Sequence, residues 1–274
     1  MPELPEVETI KNDLRALVIG RKITDVEVLD PQIGHHIDLS RFIPGLVGKE
    51  IVGVDRRAKY LLIRLSSGDT LMVQLAVTGQ LLLVKPEEPR RKSTRIVFHL
   101  DNGQELRLND ASRLALVHLL SEEEVAQILD RGKLGPEAIS PDLTLESFRE
   151  MLHRKRTVIK SLLLDQSFVS GLGNIYADEV LFAARIAPTR RASDLDPEEA
   201  KHLYEAMRKI LREAIALRGT TVRAYRDVLG RKGNYQTKLK VFRKAGEPCE
   251  GCPGKVVETR IGQRDTFYCP SCQK

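Results

Sequence analysis

The sequence predicts an α+β multidomain protein: a leading helix, an antiparallel β-sandwich or barrel, a helical region and a small metal-bearing C-terminal unit. Three observations carry this. Short β-rich runs separated by turn residues occupy residues 22–118. From 144 to 218 the apolar spacing becomes helical. The four cysteines of the chain gather in two CxxC pairs near its end. At 274 residues the chain exceeds one typical domain. No apolar run is long enough to span a membrane, and the start MPELPEVET lacks the basic-then-apolar pattern of a secretory signal, so a cytoplasmic location is expected.

In chain order, Val7, Ile10, Leu14, Leu17 and Val18 recur at helical spacing, with Pro5 suited to a first turn and Gly20 to the stop. The runs IVGV (51–54), YLLIRL (60–65), TLMVQLAV (70–77) and QLLLV (80–84) then read as strands. RIVFHL (95–100) and ELRL (105–108) flank Asp101-Asn102-Gly103, a hairpin signal. Strand patterning stops near 120, and Gly135-Pro136 and Pro141 punctuate a linker over 120–142. Asp196-Pro197 supplies an N-cap and first helical residue. Leu203, Met207, Ile210, Leu211 and Leu217 line the face of that helix, and Gly219 ends it. Between the helical segments lies a glycine-containing turn, Val169 to Asn174. The expected domains are 1–130, 131–222 and 235–274.

Charge and cysteines point to partners. Residues 220–274 hold 12 Lys/Arg against 5 Asp/Glu, while the remainder is balanced at 32 against 33. A basic segment on a neutral body is either a footprint for a polyanion or a solvated basic face. Cys249, Cys252, Cys269 and Cys272 have the spacing by which two tight turns present four thiolates to one tetrahedral ion, with a hairpin returning the second pair. Four thiolates leave no open position, so a structural Zn2+ is expected, with two disulfides or free thiols as the alternative. Metal binding supplies folding energy that about 40 residues cannot find in a core alone.

Pro2-Glu3-Leu4-Pro5-Glu6 sets an imino acid beside two carboxylates. A small second residue permits removal of Met1, which exposes the Pro2 nitrogen. With pKa values near 7.8 for an α-amine and 10.4 for lysine, roughly a few hundredfold more of the former is free base at pH 7. The greater basicity of proline takes back part of that gain. A secondary amine condensing with a sugar aldehyde gives a cationic iminium, an electron sink that acidifies the neighbouring carbon for β-elimination of phosphate. Glu3 and Glu6 are the candidate acid/base groups. Acidic residues in a first helical turn are also commonplace on dipole grounds alone.

MPELPEVET, RRAKYLL (56–62), LLLDQSFVSGLGNIYADE (162–179) and the ending CxxC…GQRDTFYCPSCQK together resemble the formamidopyrimidine-DNA glycosylase family, which is shared with endonuclease VIII. The likeness covers essentially the whole chain, with the motifs in the family's order. It implies a β-sandwich with the N-terminal helix, a helical domain with a helix–two-turns–helix element, and a C-terminal zinc finger, with damaged DNA in a cleft between two lobes. It implies that Pro2 is the Schiff-base nucleophile, that Glu3 protonates the deoxyribose ring oxygen and that Glu6 supports the site. It further implies that Lys59 acts in β-elimination, that Asn174 binds phosphate, and that Arg264 grips phosphate near the lesion and assists δ-elimination; Lys155, in HRKRTVIK, resembles a basic DNA-contacting position. A monomer of a bacterial cytoplasm, associated with the nucleoid through its DNA, is expected.

The chain departs from the family where three side chains usually fill the hole left by a flipped nucleotide. The Met of an HLxMxG-like segment and the Arg and Phe of a DxRRFG-like one become Val77, Ser112 and Leu114, and the usual His becomes Gln74; Arg113 remains as a DNA-binding candidate able to substitute in part by a different route. Flipping costs a few kcal/mol of unstacking and unpairing, and Val, Ser and Leu offset less of it. The expected function is a bifunctional glycosylase/AP lyase of base excision repair. Retention of TTVRAYRDVLGRKGNYQ (220–236), which resembles the loop that covers an extruded purine, favours 8-oxoguanine and formamidopyrimidines. The alternatives are a non-catalytic damage- or structure-binding paralogue, or a glycosylase for oxidised pyrimidines or single-stranded lesions.

Overall fold

The computed structural model describes residues 2–30, 33 and 37–274; the expectation that Met1 is removed lies outside these. The contacts divide the chain into two units: one formed by residues 1–131 and 215–236, the other by residues 132–214 and 237–274. The expected segment 131–222 is thus shared between them, its last residues belonging to the first unit.

In the first unit, α1 (Leu4–Val18) buries Leu4, Val7, Ile10, Leu14 and Val18 along one face. Among the described residues, two four-stranded antiparallel sheets follow. One has the order β1 (Ile23–Val28), β6 (Thr94–Leu100), β7 (Glu105–Asn109), β5 (Gln80–Val84). The other has the order β2 (Ile51–Arg57), β3 (Tyr60–Leu65), β4 (Thr70–Gln74), β8 (Leu116–Leu120). Both sheets share a core with α1: Ile10 and Leu14 meet Val54, Ile63 and Val73 of one sheet and Ile96, Phe98 and Leu108 of the other in a single buried cluster. The hairpin signal at Asp101–Gly103 joins β6 to β7, with Gly103 at φ 79°.

Two short helices interrupt the expected strand and linker stretches. α2 (Leu39–Leu46) starts on Asp38, whose carboxylate accepts the Ser40 N–H at 3.0 Å. α3 (Glu122–Arg131) occupies the expected linker. It is fixed by a reciprocal cap, Glu124 accepting the Ser121 N–H at 2.7 Å and Ser121 accepting the Glu124 N–H at 3.2 Å. Val125 of α3 is buried, and Ile128 and Leu129, three and four residues on, pack partly buried against the same cluster as Leu62, Met72 and Leu120, a stripe of only three residues.

The second unit holds α4 (Leu145–His153), α5 (Ile159–Leu164), α6 (Asn174–Ala183) and most of α7 (Pro197–Ala216), with the hairpin β9 (Val257–Ile261) and β10 (Arg264–Tyr268). Asp196 caps α7, accepting the Glu198 and Glu199 N–H groups at 2.8 and 2.9 Å. Leu203, Met207, Ile210 and Leu211 are buried along its face. Among the described residues no helix is long and apolar enough to cross a membrane.

Candidate functional site

The nucleophile candidate sits at the head of α1 in the first unit. Pro2, Glu3 and Glu6 are all buried, the two carboxylates at 2% and 1% exposure. Glu3 is the N-cap, and the pair closes a capping box in which Glu6 Oε2 accepts the Glu3 N–H at 2.7 Å. The other oxygen of Glu6 accepts the Thr220 N–H at 2.7 Å. Two backbone donors, one local and one 214 residues away, therefore fix the Glu6 carboxylate. Gly219 makes this approach possible. It sits at φ 78°, and a Cβ there would lie 2.8 Å from Glu6 Oε1. Beside it Tyr225 donates its hydroxyl to the Arg218 carbonyl at 3.1 Å. Burial, and then the charge of Glu6, push that hydroxyl above the usual phenol range.

Lys59 lies in the two-residue turn between β2 and β3, after Ala58 at φ 51°, and is 8% exposed. Arg56 braces the turn by donating to the Ala58 carbonyl at 2.9 Å, and it ties the turn to α1 by pairing with Glu8 at 2.7 Å. Burial alone would raise the Glu8 carboxyl, but hydrogen bonds from Lys11 and Arg56 outweigh it and hold the group below the ordinary value.

Val77 and Leu114 are half-exposed, at 48% and 50%. Their loops form one knot around Asp110, which is fully buried. Its carboxylate accepts the N–H groups of Ser112, Leu114 and Ala115 at 2.8–3.0 Å and the hydroxyls of Ser112 and Thr78. Ser112 is spent inside this knot. Arg113, at φ 58°, places Nε 2.8 Å from Asp30 Oδ2, a carboxylate shared with Arg95.

The phosphate-contact candidates lie in the second unit. Asn174 is the first residue of α6, behind the N-cap Gly173. Gln166 fastens the preceding turn, accepting the Gly171 N–H and donating to the Leu164 and Leu172 carbonyls. The Asn174 amide donates to the Asp265 carbonyl at 2.8 Å, next to Arg264, which is exposed at the start of β10. These two residues are brought together. Lys155 is exposed in the turn after α4, its carbonyl accepting the Ser193 N–H. The lysine that meets Asn174 is Lys160: it is fully buried, donates to the Asn174 carbonyl at 3.2 Å, and pairs with Asp178 at 2.6 Å. Asp178 also accepts the Phe267 N–H of β10 at 3.2 Å, and burial pushes its carboxyl up to about 7, against the pull of Lys160. Glu179 accepts three consecutive N–H groups, of Lys240, Val241 and Phe242. Sequence reading missed Lys160, Asp178 and Glu179; the available signal was charge inside an apolar run, as in VIK and NIYADEVLF.

Cys249, Cys252, Cys269 and Cys272 are unbridged, with all four sulfurs within 4.8 Å of one another. Two pairs stand at 3.7 and 3.4 Å, close to the roughly 3.8 Å edge of a tetrahedron with Zn–S bonds of about 2.3 Å. N–H groups of Gly251 and Gly254 point at Cys249 and Cys252 Sγ, as they would at thiolates. These residues fit one structural zinc, which would lock the finger and take no part in bond breaking.

Comparison with known proteins bears on both units. Residues 1–117 match the family description formamidopyrimidine-DNA glycosylase N-terminal domain, residues 134–226 its H2TH domain, and residues 246–274 a zinc finger found in FPG and IleRS. The formamidopyrimidine-DNA glycosylase of Pelotomaculum thermopropionicum is 44% identical over 274 residues, covering 100% of this chain and 99% of the relative. That of Heliobacterium modesticaldum is 42% identical, with both chains fully covered. The fold is also that of a Lactococcus lactis FPG mutant solved with a Fapy-dG containing DNA, at a TM-score of 0.94, 33% identity and full coverage of both chains. Lactococcus lactis Fpg with an abasic site containing DNA gives 0.93 at 32% identity, covering 99% of each chain.

Proposed function

This chain belongs to the formamidopyrimidine-DNA glycosylase family and is a DNA glycosylase of base excision repair, and we propose that it is bifunctional, removing oxidised purines and then nicking the strand as an AP lyase. The observation that carries the reading is the buried start of α1, where Glu3, next to Pro2, is held by a Glu6 carboxylate that two backbone donors immobilise.

With the damaged nucleotide flipped out of the stack, the Pro2 nitrogen attacks C1′ and the bond from C1′ to the base breaks. Glu3 delivers a proton to the ring oxygen, the sugar opens, and C1′ and the Pro2 nitrogen share a cationic iminium. The cation acidifies C2′. Loss of that proton, with Lys59 assisting, expels the 3′ phosphate, and a second elimination, assisted by Arg264, expels the 5′ phosphate. Water then hydrolyses the iminium and frees the amine. Asn174, Arg264 and Lys155 hold phosphates without reading sequence. The enzyme acts as a monomer on chromosomal DNA in a bacterial cytoplasm. Loop 220–236 covers the extruded base and favours 8-oxoguanine and formamidopyrimidines.

Borohydride tests the chemistry: it reduces the iminium to a stable protein–DNA adduct. The wild type is expected to form the adduct on abasic DNA, and Pro2→Gly to lose it. No adduct from the wild type would leave a damage-binding protein instead.

The half-exposed apolar pair Val77 and Leu114, with Ser112 consumed by Asp110, favours a second reading of the substrate. Such a surface stacks poorly in the gap of a flipped nucleotide, so single-stranded or mismatched lesions, where flipping is cheaper, are processed better than matched duplex. Excision rates on the two forms decide it; a strong preference for matched duplex removes it.

A further inference from the structure

Residues 220–235 form a closed loop of the first unit, and one ion pair lies at its centre. We propose that Arg218 and Asp227 are positioning residues that fold this loop before substrate arrives, and that the preformed loop sets selection for a nucleotide still carrying its base. The second clause rests on the reading that the loop covers the extruded base.

The local backbone is the first indication. Arg218 and Gly219 follow α7 in consecutive left-handed conformations, φ 63° and 78°. Glycine takes that region freely, whereas a side-chain-bearing residue is strained there and persists only where its surroundings hold it. Here the guanidinium does the holding. Its Nη2 lies 2.6 Å from Asp227 Oδ2 and 2.5 Å from Asp13 Oδ2, and Nε lies 3.0 Å from Asp227 Oδ2. Asp13 is on α1, so the segment that ends in the Thr220–Glu6 contact is joined to the nucleophile's helix at a second point.

Asp227 is fully buried and saturated. Oδ1 accepts the N–H groups of Leu229 and Arg231 at 3.0 and 2.9 Å, and Oδ2 takes Arg218 and the Arg231 Nε at 2.8 Å. Burial alone would raise this carboxyl, but the Arg231 N–H and the two arginines hold it down, so the charge persists at neutral pH. Around this centre the loop closes on itself. Asn234 donates to the Leu217 carbonyl at 2.8 Å, Tyr235 to the Gly219 carbonyl at 3.0 Å, and the Gly233 N–H to Thr221 Oγ1 at 3.0 Å. Its floor is the domain core, where Tyr225 and Val228 are buried, and the Leu83 N–H extends the edge of β5 onto the Val228 carbonyl at 2.8 Å. What remains outside is Arg223, Leu229, Gly230, Arg231, Lys232 and Asn234.

A mobile loop of this length would charge its ordering entropy to substrate binding. The Arg218–Asp227 pair settles that cost during folding, and only a substrate that still has its base benefits, because an abasic sugar offers the loop nothing to cover.

Arg218→Gly and Asp227→Asn test this in the zinc-loaded full-length enzyme. The glycine suits the left-handed position, so that variant keeps its backbone while losing the pair. Single-turnover rates are read on duplex DNA with 8-oxoguanine and on the same duplex with a preformed abasic site, beside limited trypsin digestion mapped by mass. Excision of 8-oxoguanine is expected to fall about tenfold while abasic nicking stays within about twofold. Trypsin should cut faster at Arg223, Arg226 and Lys232. Equal losses on both DNAs, unchanged excision, or an unchanged trypsin pattern would overturn the inference. A wild type that gives no borohydride adduct on abasic DNA would instead refute the catalytic reading, with digestion still deciding whether the pair orders the loop.

Discussion

Replacing Gly219 by alanine perturbs two things at one atom. The φ of 78° costs a side-chain-bearing residue about 1–2 kcal/mol. The new methyl group would also stand 2.8 Å from Glu6 Oε1 and 2.9 Å from its Cγ, inside contact distance. The carboxylate must retreat, and it then loses the Thr220 or the Glu3 N–H in a buried setting, worth about 1.5–3 kcal/mol for a charged acceptor. A total of about 3 kcal/mol lowers the melting temperature of a unit of roughly 150 residues by about 6–12 °C. Since the same carboxylate anchors the residue next to the nucleophile, excision should fall by about tenfold or more. Scanning calorimetry with single-turnover excision is the assay. A melting shift below about 2 °C together with an unchanged rate would refute the reasoning, because it would mean that Glu6 is not held where the distances place it.

Other perturbations have equally definite outcomes. Asp178→Asn leaves the buried Lys160 charge uncompensated and should cost about 3–5 kcal/mol in denaturant unfolding, most of it recovered in the double variant Lys160→Met/Asp178→Asn; additive losses would show the two charges to be uncoupled. Glu27 is held at about 2, chiefly by its hydrogen bond from Arg90 and then by His99. A depressed carboxyl stabilises the fold above its unfolded value of 4.5 and loses that contribution as pH falls towards 2. Glu27→Gln should therefore flatten the decline in stability between pH 4.5 and 2, and an unaltered acid limb would contradict the pairing. Titrating the thiols with an organomercurial should release one zinc per chain and unfold the hairpin that carries Arg264, abolishing DNA binding. Binding that survives full metal loss would detach that hairpin from DNA contact.

Much of the fold was legible because its signals are local. Asp196-Pro197, Asp101–Gly103 and the apolar stripe of α7 each specify an element within a few residues of chain. The paired CxxC turns announced their ion because ligand spacing is itself a short-range geometry. Helix α3 escaped because its stripe is only three residues, Val125, Ile128 and Leu129, of which Val125 alone is buried, and its start rests on a cap. Lys160 looked like one more charge in a helical run, while the nearby and exposed Lys155 drew the attention. The apolar neighbours of Lys160 were the one linear hint of burial; its partner Asp178, 18 residues away, carried no local sign of the pairing.

The sequence by itself determined the succession of leading helix, strands, helices and metal unit, the zinc ligands and the identity of the groups at the head of α1, since each is written in residue type and short spacing. Only the tertiary structure decided that Thr220 meets Glu6, that Asp178 clasps Lys160 and β10, and that Arg218 bridges Asp13 and Asp227. Those partners lie far apart along the chain, and their pairing follows from where packing of the core leaves buried charges in need of a donor.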